Sequence, residues 1–361
     1  MRRRDVLLSG LAATAAAALP RTAASADVDI GNAAASAGVT FGSAFDYPAL
    51  DVRAYGDLLR RQARIFTTDW SMKFGPLRPK GPEADFTGAD RIIAFAEEAR
   101  IPVRGHTLIW NEYNPEWLVR LSRERRAYWL ERHIDEVTGR YAGRIHSWDV
   151  VNEPFWPDHG VKGGYRLGPW YDALGPAYVT TAYRAAARAD PGAKLVLNEA
   201  FTESADRLGL MVRAGLLKLV DEIRAAGLRL DAVGLQGHIV RDRPFDPVGW
   251  RRFLAELAAR DVEIWITELD VDDRIFPGDA AERDARVAET YRAVLDTALD
   301  EPKVTTFITW QLADGYSHYR DRYGPDVRPL PFDRDLKPKP AAEAMVAAFR
   351  AKAGRSSQPR P

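Results

Sequence analysis

Cysteine is absent from the 361 residues. That removes disulfides, thiol nucleophiles and thiolate metal sites together. It leaves the compartment open, because an exported protein need not use disulfides. Net charge is lacking too: Lys+Arg and Asp+Glu number 51 each, so no global field favours nucleic acid or an anionic membrane. Histidine is scarce, at six, and no pair has an HExxH-type spacing, so neither a metal centre nor another cofactor is expected. Beyond residues 6–19 no apolar run is long enough to span a bilayer. Gly/Ser and Pro/Thr linkers and internal repeats are also missing. One domain, working as a monomer without an appended module, is the expectation.

What is present begins at the N-terminus. Arg2-Arg3-Arg4 precedes an alanine-rich stretch, and Ala24-Ser25-Ala26 has the small-x-small form of a cleavage site. Arg3-Arg4-Asp5-Val6-Leu7 fits a twin-arginine signal, the bacterial export route for folded proteins; an Arg-rich Sec signal is the alternative. Residues 1–26 are read as signal peptide, 27–352 as the catalytic unit and 353–361 as a disordered tail. The expected location is periplasmic or extracellular. Cleavage after Ala26 removes four arginines and one aspartate and leaves the mature chain at −3.

Short β-rich runs then alternate with longer amphipathic stretches, the rhythm of repeated βα units. Candidate strands are 39–45, 65–70, 102–110, 145–152, 194–198, 232–238, 263–268 and 305–312. Candidate helices are 90–100, 123–141, 171–190, 206–226, 247–260, 281–299 and 341–351. Eight strands make a closed (β/α)8 TIM barrel, an α/β fold in a single domain, the natural count. Residues 240–247 and 318–336 are rich in Arg, Asp, Pro and Gly and read as loops on one rim.

The chemistry collects where these strands end. Glu153 closes Trp148-Asp149-Val150-Val151-Asn152-Glu153, and Glu268 closes Glu263-Ile264-Trp265-Ile266-Thr267-Glu268. A parallel barrel places its active site at the C-terminal ends of its strands. Arg104-Gly105-His106-Thr107-Leu108-Ile109-Trp110, Gln236-Gly237-His238, Leu269-Asp270 and Trp310 add imidazoles, an amide and indoles at other strand ends. Carboxylates, amides and flat rings are the groups that hold sugars. Paired carboxylates are the apparatus of glycosidic cleavage. The bland alternatives are burial as ion-pair partners of Arg104 or Arg144 for the glutamates, and satisfied core histidines for His106 and His238. Trp117, Trp129, Trp156, Trp170 and Trp250 read as core or loop anchors. Asp46 and Asp314 lie near strand ends without an assignable role.

With these motifs the chain resembles glycoside hydrolase family 10, the endo-β-1,4-xylanases. The resemblance runs from Phe41-Gly42 to Lys337-Pro338-Lys339-Pro340. It implies a (β/α)8 barrel and a retaining, double-displacement cleavage of xylan, with Glu153 as acid/base and Glu268 as nucleophile. His238 and Asp270 match a hydrogen-bonded chain behind the nucleophile. Asn152 matches the amide that binds a sugar 2-hydroxyl. Lys73, His106, Trp110, Gln236 and Trp310 match sugar contacts around the cleavage point. The implied partner is a polysaccharide or oligosaccharide.

Departures from the family pattern cluster on the glycone side. Asp69 and Trp70 stand where a glutamate and an asparagine bind the non-reducing-side sugars. His318 takes the place of a second tryptophan, Asn111 follows Trp110 where histidine is common, and Ala200-Phe201 replaces part of an Asp-Tyr-Asn run. An indole cannot copy an amide's donor and acceptor. Another β-linked glycan, such as a bacterial exopolysaccharide, is therefore an alternative substrate. A non-hydrolytic carbohydrate-binding protein is a remoter alternative, since both carboxylates are retained.

Overall fold

The computed structural model describes residues 28–240 and 243–356; the expected signal peptide lies outside the described residues. Eight strands pair in chain order, every one parallel to its neighbours: Thr40–Phe45 (β1), Ile65–Thr68 (β2), Val103–Gly105 (β3), Ser147–Asn152 (β4), Lys194–Glu199 (β5), Ala232–Leu235 (β6), Glu263–Val271 (β7) and Val304–Thr309 (β8). β8 also pairs with β1, Thr40 opposite Thr306, which closes the sheet. Helices fill the intervals, and the fold is the expected (β/α)8 barrel.

Period-two alternation gives these runs one face toward the helices and one toward the barrel interior. Leu195, Leu197, Val233, Leu235, Ile264 and Ile266 join the main core beneath the helices. Their alternates Val196, Ala232 and Trp265 form a separate apolar cluster. On one side of it Lys194 pairs with Glu263 at 2.5 Å; on the other the Thr267 hydroxyl donates to Asn198 at 2.7 Å. Side chains thus fill the barrel in layers, with polarity rising toward the strand ends. Gly234 must stay bare, because a Cβ there would come within 2.3 Å of Asn198 Oδ1.

The helices carry their own signals. In Arg123–Tyr141 the Ser122 side chain accepts from the Arg125 N–H, and Leu130, Ile134, Val137 and Tyr141 are buried on one stripe. Asp206 caps Arg207–Ala225 in the same way, and Leu208, Val212, Leu216 and Ile223 face the core.

Several boundaries differ from expectation. The run 102–110 is interrupted: Val103–Gly105 leaves the ladder and Ile109–Trp110 rejoins β4. The run 232–238 breaks at Gly237, φ +81°, and His238–Ile239 pairs with β7 beyond the break. The helix expected over 171–190 is two, Pro169–Leu174 and Ala177–Ala189, because Gly175 turns at φ +58° and Pro176 offers no N–H. Helices Ile30–Ser36 and Arg53–Gln62 were not anticipated. His318–Tyr323, expected as loop, is helical and capped by Ser317. Of the expected tail 353–361, residues 353–356 instead continue the helix Pro340–Ser356, and 357–361 lie outside the described residues. Lys352 Nζ donates to Leu299 O at 2.7 Å there, and Arg355 lies 3.8 Å from Asp300. No helix among the described residues is long and apolar enough to cross a membrane.

Candidate active site

Glu153 follows β4 with φ +50°, and its N–H donates to Asn198 O at 2.8 Å, so the β4–β5 pairing sets where the carboxyl stands. Gln236 Nε2 donates to its Oε1 at 2.8 Å and Trp110 Nε1 to its Oε2 at 3.2 Å. Glu268 lies within β7. Asn198 Nδ2 donates both to Glu268 Oε1, at 2.7 Å, and to Asn152 Oδ1, at 2.8 Å. Asn152 Nδ2 in turn donates to Glu153 Oε1 at 3.4 Å. Two amides therefore link the carboxyl groups across three strands. Both carboxyls line one cavity of about 760 Å³ at the strand ends.

Behind Glu268, His238 Nε2 lies 3.3 Å from Oε2 and His238 Nδ1 lies 2.9 Å from Asp270 Oδ1. Burial alone would raise the Glu268 pKa. The His238 hydrogen bond and the charges of His106, His238 and Arg104 outweigh it and hold the carboxyl at about 2. Burial likewise works against a charged His238, but the charge and hydrogen bond of Asp270, with those of Glu268, push it well above the usual imidazole range. Glu268 is thus an anion braced by an imidazolium. A second buried support holds His106: Asp149 Oδ2 lies 2.6 Å from His106 Nδ1, while Asp149 Oδ1 accepts from Arg104 Nε at 3.0 Å.

An anionic carboxylate and a second carboxyl on one barrel mouth fit a glycosidase, and the known proteins agree. Residues 29–348 match the model of glycosyl hydrolase family 10. The chain belongs to that family. It is 30% identical over 312 residues to the beta-1,4-xylanase of Dictyoglomus thermophilum, covering 84% of this chain and 86% of that protein. It is 32% identical over 324 residues to endo-1,4-beta-xylanase A of Caldicellulosiruptor sp. (strain Rt8B.4), but spans only 45% of that protein's length. Native xylanase 10B from Thermotoga maritima superposes with a TM-score of 0.82 at 29% identity, covering 91% of this chain and 99% of that one. The protein is an endo-1,4-β-xylanase-like glycoside hydrolase.

Lys73, His106, Trp110, Asn152, Gln236, His238 and Trp310 all line the cavity, as do Asp69, Trp70 and His318; Asp270 is fully buried behind His238. One Asp69 oxygen is committed, accepting from Gln311 Nε2 at 2.6 Å. Trp70, 40% exposed, stands edge-on to Tyr113 with ring centres 5.3 Å apart. The buried Lys73 ammonium lies 5.1, 5.0 and 5.6 Å from the rings of Trp70, Trp110 and Trp310. His318 Nδ1 is 3.6 Å from Asp270 Oδ2. Asn111 does not belong with the altered sugar contacts: its Oδ1 accepts from the N–H groups of Trp170 and Tyr171 at 3.1 and 3.3 Å, a structural cap.

The ion-pair alternative named the wrong arginines. Arg104 binds Asp149, and Arg144 binds Glu97 at 2.7 Å. The guanidinium beside Glu153 belongs to Arg166, whose Nη2 lies 2.9 Å from Oε2. The loop doubles back to bring it there: Trp156 N–H donates to Gly164 O and Arg166 N–H to Pro154 O, each at 2.8 Å. Glu199, another residue missed, is fully buried at the end of β5 and accepts from the N–H groups of Ala200 and Phe155 at 2.8 and 3.1 Å. Burial pushes its carboxyl well above the usual range. Its place directly after Asn198 was the available signal. Arg166 offered none, being away from any strand end. Asp46 accepts from Ser71, and Asp314 pairs with Lys339 at 3.0 Å, so both are occupied structurally.

Proposed function

We propose that the protein is an exported retaining endo-β-1,4-glycanase whose substrate is xylan. The carrying observation is the unlike pair on one cavity, Glu268 held anionic by His238 and Glu153 joined to it through Asn152 and Asn198. In the first step a Glu268 oxygen attacks the anomeric carbon, the glycosidic C–O bond breaks, and Glu153 gives its proton to the leaving oxygen. In the second, Glu153 takes a proton from water, the water oxygen bonds to the anomeric carbon, and the ester bond to Glu268 breaks. Asn152 is assigned the sugar 2-hydroxyl; Lys73, His106, Trp110, Gln236 and Trp310 are assigned the sugar around the cleavage point. Xylan is favoured by family membership and by relatives named as xylanases. Export rests on the leader pattern in residues 1–26.

A second reading keeps the mechanism and changes the polymer to another β-linked glycan, such as a bacterial exopolysaccharide. The Asp69–Gln311 bond and the indole at position 70 favour it. The test is a screen of the mature protein on xylan, glucans, mannan and bacterial polysaccharides, with products resolved by size and anomer. Xylo-oligosaccharides formed first as the β anomer are expected. Cleavage of another polymer with xylan untouched would select the second reading, and first-formed α products would end the retaining mechanism.

A further inference from the structure

Arg166 stands between two carboxylates. Nη1 meets Glu112, and Nη2 lies 2.9 Å from Glu153 Oε2. The arginine side chain is 3% exposed, whereas that of Glu112 is 42% exposed. Its Nε donates to the Glu153 carbonyl at 3.0 Å, and its guanidinium lies 4.8 Å over the Trp156 ring. The cation is therefore fixed by backbone and ring. Glu112 is the partner with solvent to turn into.

The surroundings of Glu153 pose a problem that this arrangement answers. N–H groups of Gln236, Asn152 and Trp110, together with the Arg166 cation, address its two oxygens. Among the described residues no acceptor is bonded to it. Every one of these contacts presents a donor hydrogen or a positive charge to the carboxyl. A retaining cycle needs the proton on this carboxyl before the glycosyl ester forms and off it afterwards. The titratable groups facing it from other elements are Glu199 at the end of β5, Glu268 on β7 with His238 behind it, and Lys73 and His106 beyond β2 and β3. Arg166 is the cation in direct contact.

We infer that Arg166 is a positioning residue for Glu153, and that Glu112 divides its charge: Glu112 draws the guanidinium's field away while the carboxyl carries a proton, and leaves more of it to the carboxylate once the glycosyl ester has formed. The inference rests on Glu153 being the acid/base. The two ideas separate experimentally.

The direct test is ¹³C NMR titration of the Glu153 carboxyl in glutamate-labelled protein, the resonance being assigned by its loss in Glu153→Gln. Glu112→Gln leaves the whole cation to Glu153 and should lower the midpoint by about one pH unit, a tenfold change in the protonation equilibrium. Arg166→Met should raise it by a similar amount, and Arg166→Lys should return it toward wild type. Midpoints unmoved in both Glu112→Gln and Arg166→Met would overturn the inference. Glu112→Gln alters a half-exposed side chain, so the outcome does not hang on Arg166→Met folding. The kinetic arm uses aryl β-xylobiosides with good and poor leaving groups. For poor leaving groups the alkaline limb of kcat/KM should move down in Glu112→Gln, and an unmoved limb would count against charge division. If Glu153→Gln hydrolyses both classes at wild-type rates, the acid/base reading fails, whatever the titration shows.

Discussion

The floor of the barrel mouth and its outer rim are built by different rules. On the floor, Glu268, Asn198, Asn152, Gln236 and Glu153 form one hydrogen-bonded chain spanning β4 to β7, with His238–Asp270 behind it. On the rim, Trp70, Tyr113 and Lys73 meet through ring faces and edges, and Asp69 spends an oxygen on Gln311. Directional bonds fix where charge develops in a reaction. Ring contacts tolerate changes in the ligand's hydroxyl pattern. Under the proposed function, the floor would set what bond is cut, and the rim how strictly the sugar's hydroxyl pattern is read.

The largest expected effect breaks the floor outright. Glu268→Ala should lower kcat by roughly four orders of magnitude or more, as loss of a nucleophile does. Glu153→Ala should cost about 10²–10⁴-fold on substrates with poor leaving groups. Steady-state kinetics on the polymer identified by the screen check both. Residual rates within tenfold of wild type in both variants would mean that these carboxyls do not carry the chemistry.

Next comes the brace behind Glu268. Glu268 is held at about 2, against an ordinary value of 4.5, so it contributes stability above about 4.5 that is lost as pH falls toward 2. His238 is raised, so its contribution is complete below the ordinary imidazole range and is lost as pH climbs through its folded value. His238→Asn removes the cation. Its acid limb of kcat/KM should move up from about 2 toward 4.5, with activity at neutral pH reduced about ten- to a hundredfold. A pH–rate profile unchanged at its acid end would show that the imidazole does not set the state of Glu268.

The contrast also explains what was legible in the sequence. Glu153, Glu268, Asn152, Gln236 and His238 could be picked out because each sits at or beside the end of an apolar run, and parallel barrels gather such ends. The strands were legible from the same alternation, and the two broken ones were not: where 232–238 leaves the ladder depends on Gly237 turning at φ +81° against β7. Gly175-Pro176 was in view, yet the apolar rhythm of 171–190 ran across it. Arg166 reaches Glu153 by a loop closing over 13 residues, and Gln311 reaches Asp69 across 242. Neither contact leaves a local pattern: the first depends on how the loop after Glu153 doubles back, and the second on closure of the barrel.

A smaller effect is expected from repairing the rim. Asp69→Glu with Trp70→Asn installs the pair that the family resemblance implies and should raise kcat/KM on xylan by about tenfold, the scale of a few polar contacts in a sugar site. If the natural polymer is a different glycan, the same variant should lose a similar factor on it. No change on either polymer would mean that the rim at 69 and 70 does not select the sugar.

The smallest effect separates two histidines that share Asp270. His238 touches both Asp270 and Glu268, whereas His318 only approaches Asp270, at 3.6 Å from a side chain 41% exposed. Burial holds His318 below the ordinary imidazole range, and the His238 charge adds to this against the pull of Asp270. It is then a rim group that happens to lean on the floor. His318→Trp should change kcat/KM on xylan by roughly fivefold or less and leave the acid limb where it stands in wild type. An acid limb that moved as far as in His238→Asn would place His318 in the brace itself, and the boundary between floor and rim would have to be redrawn one shell outward.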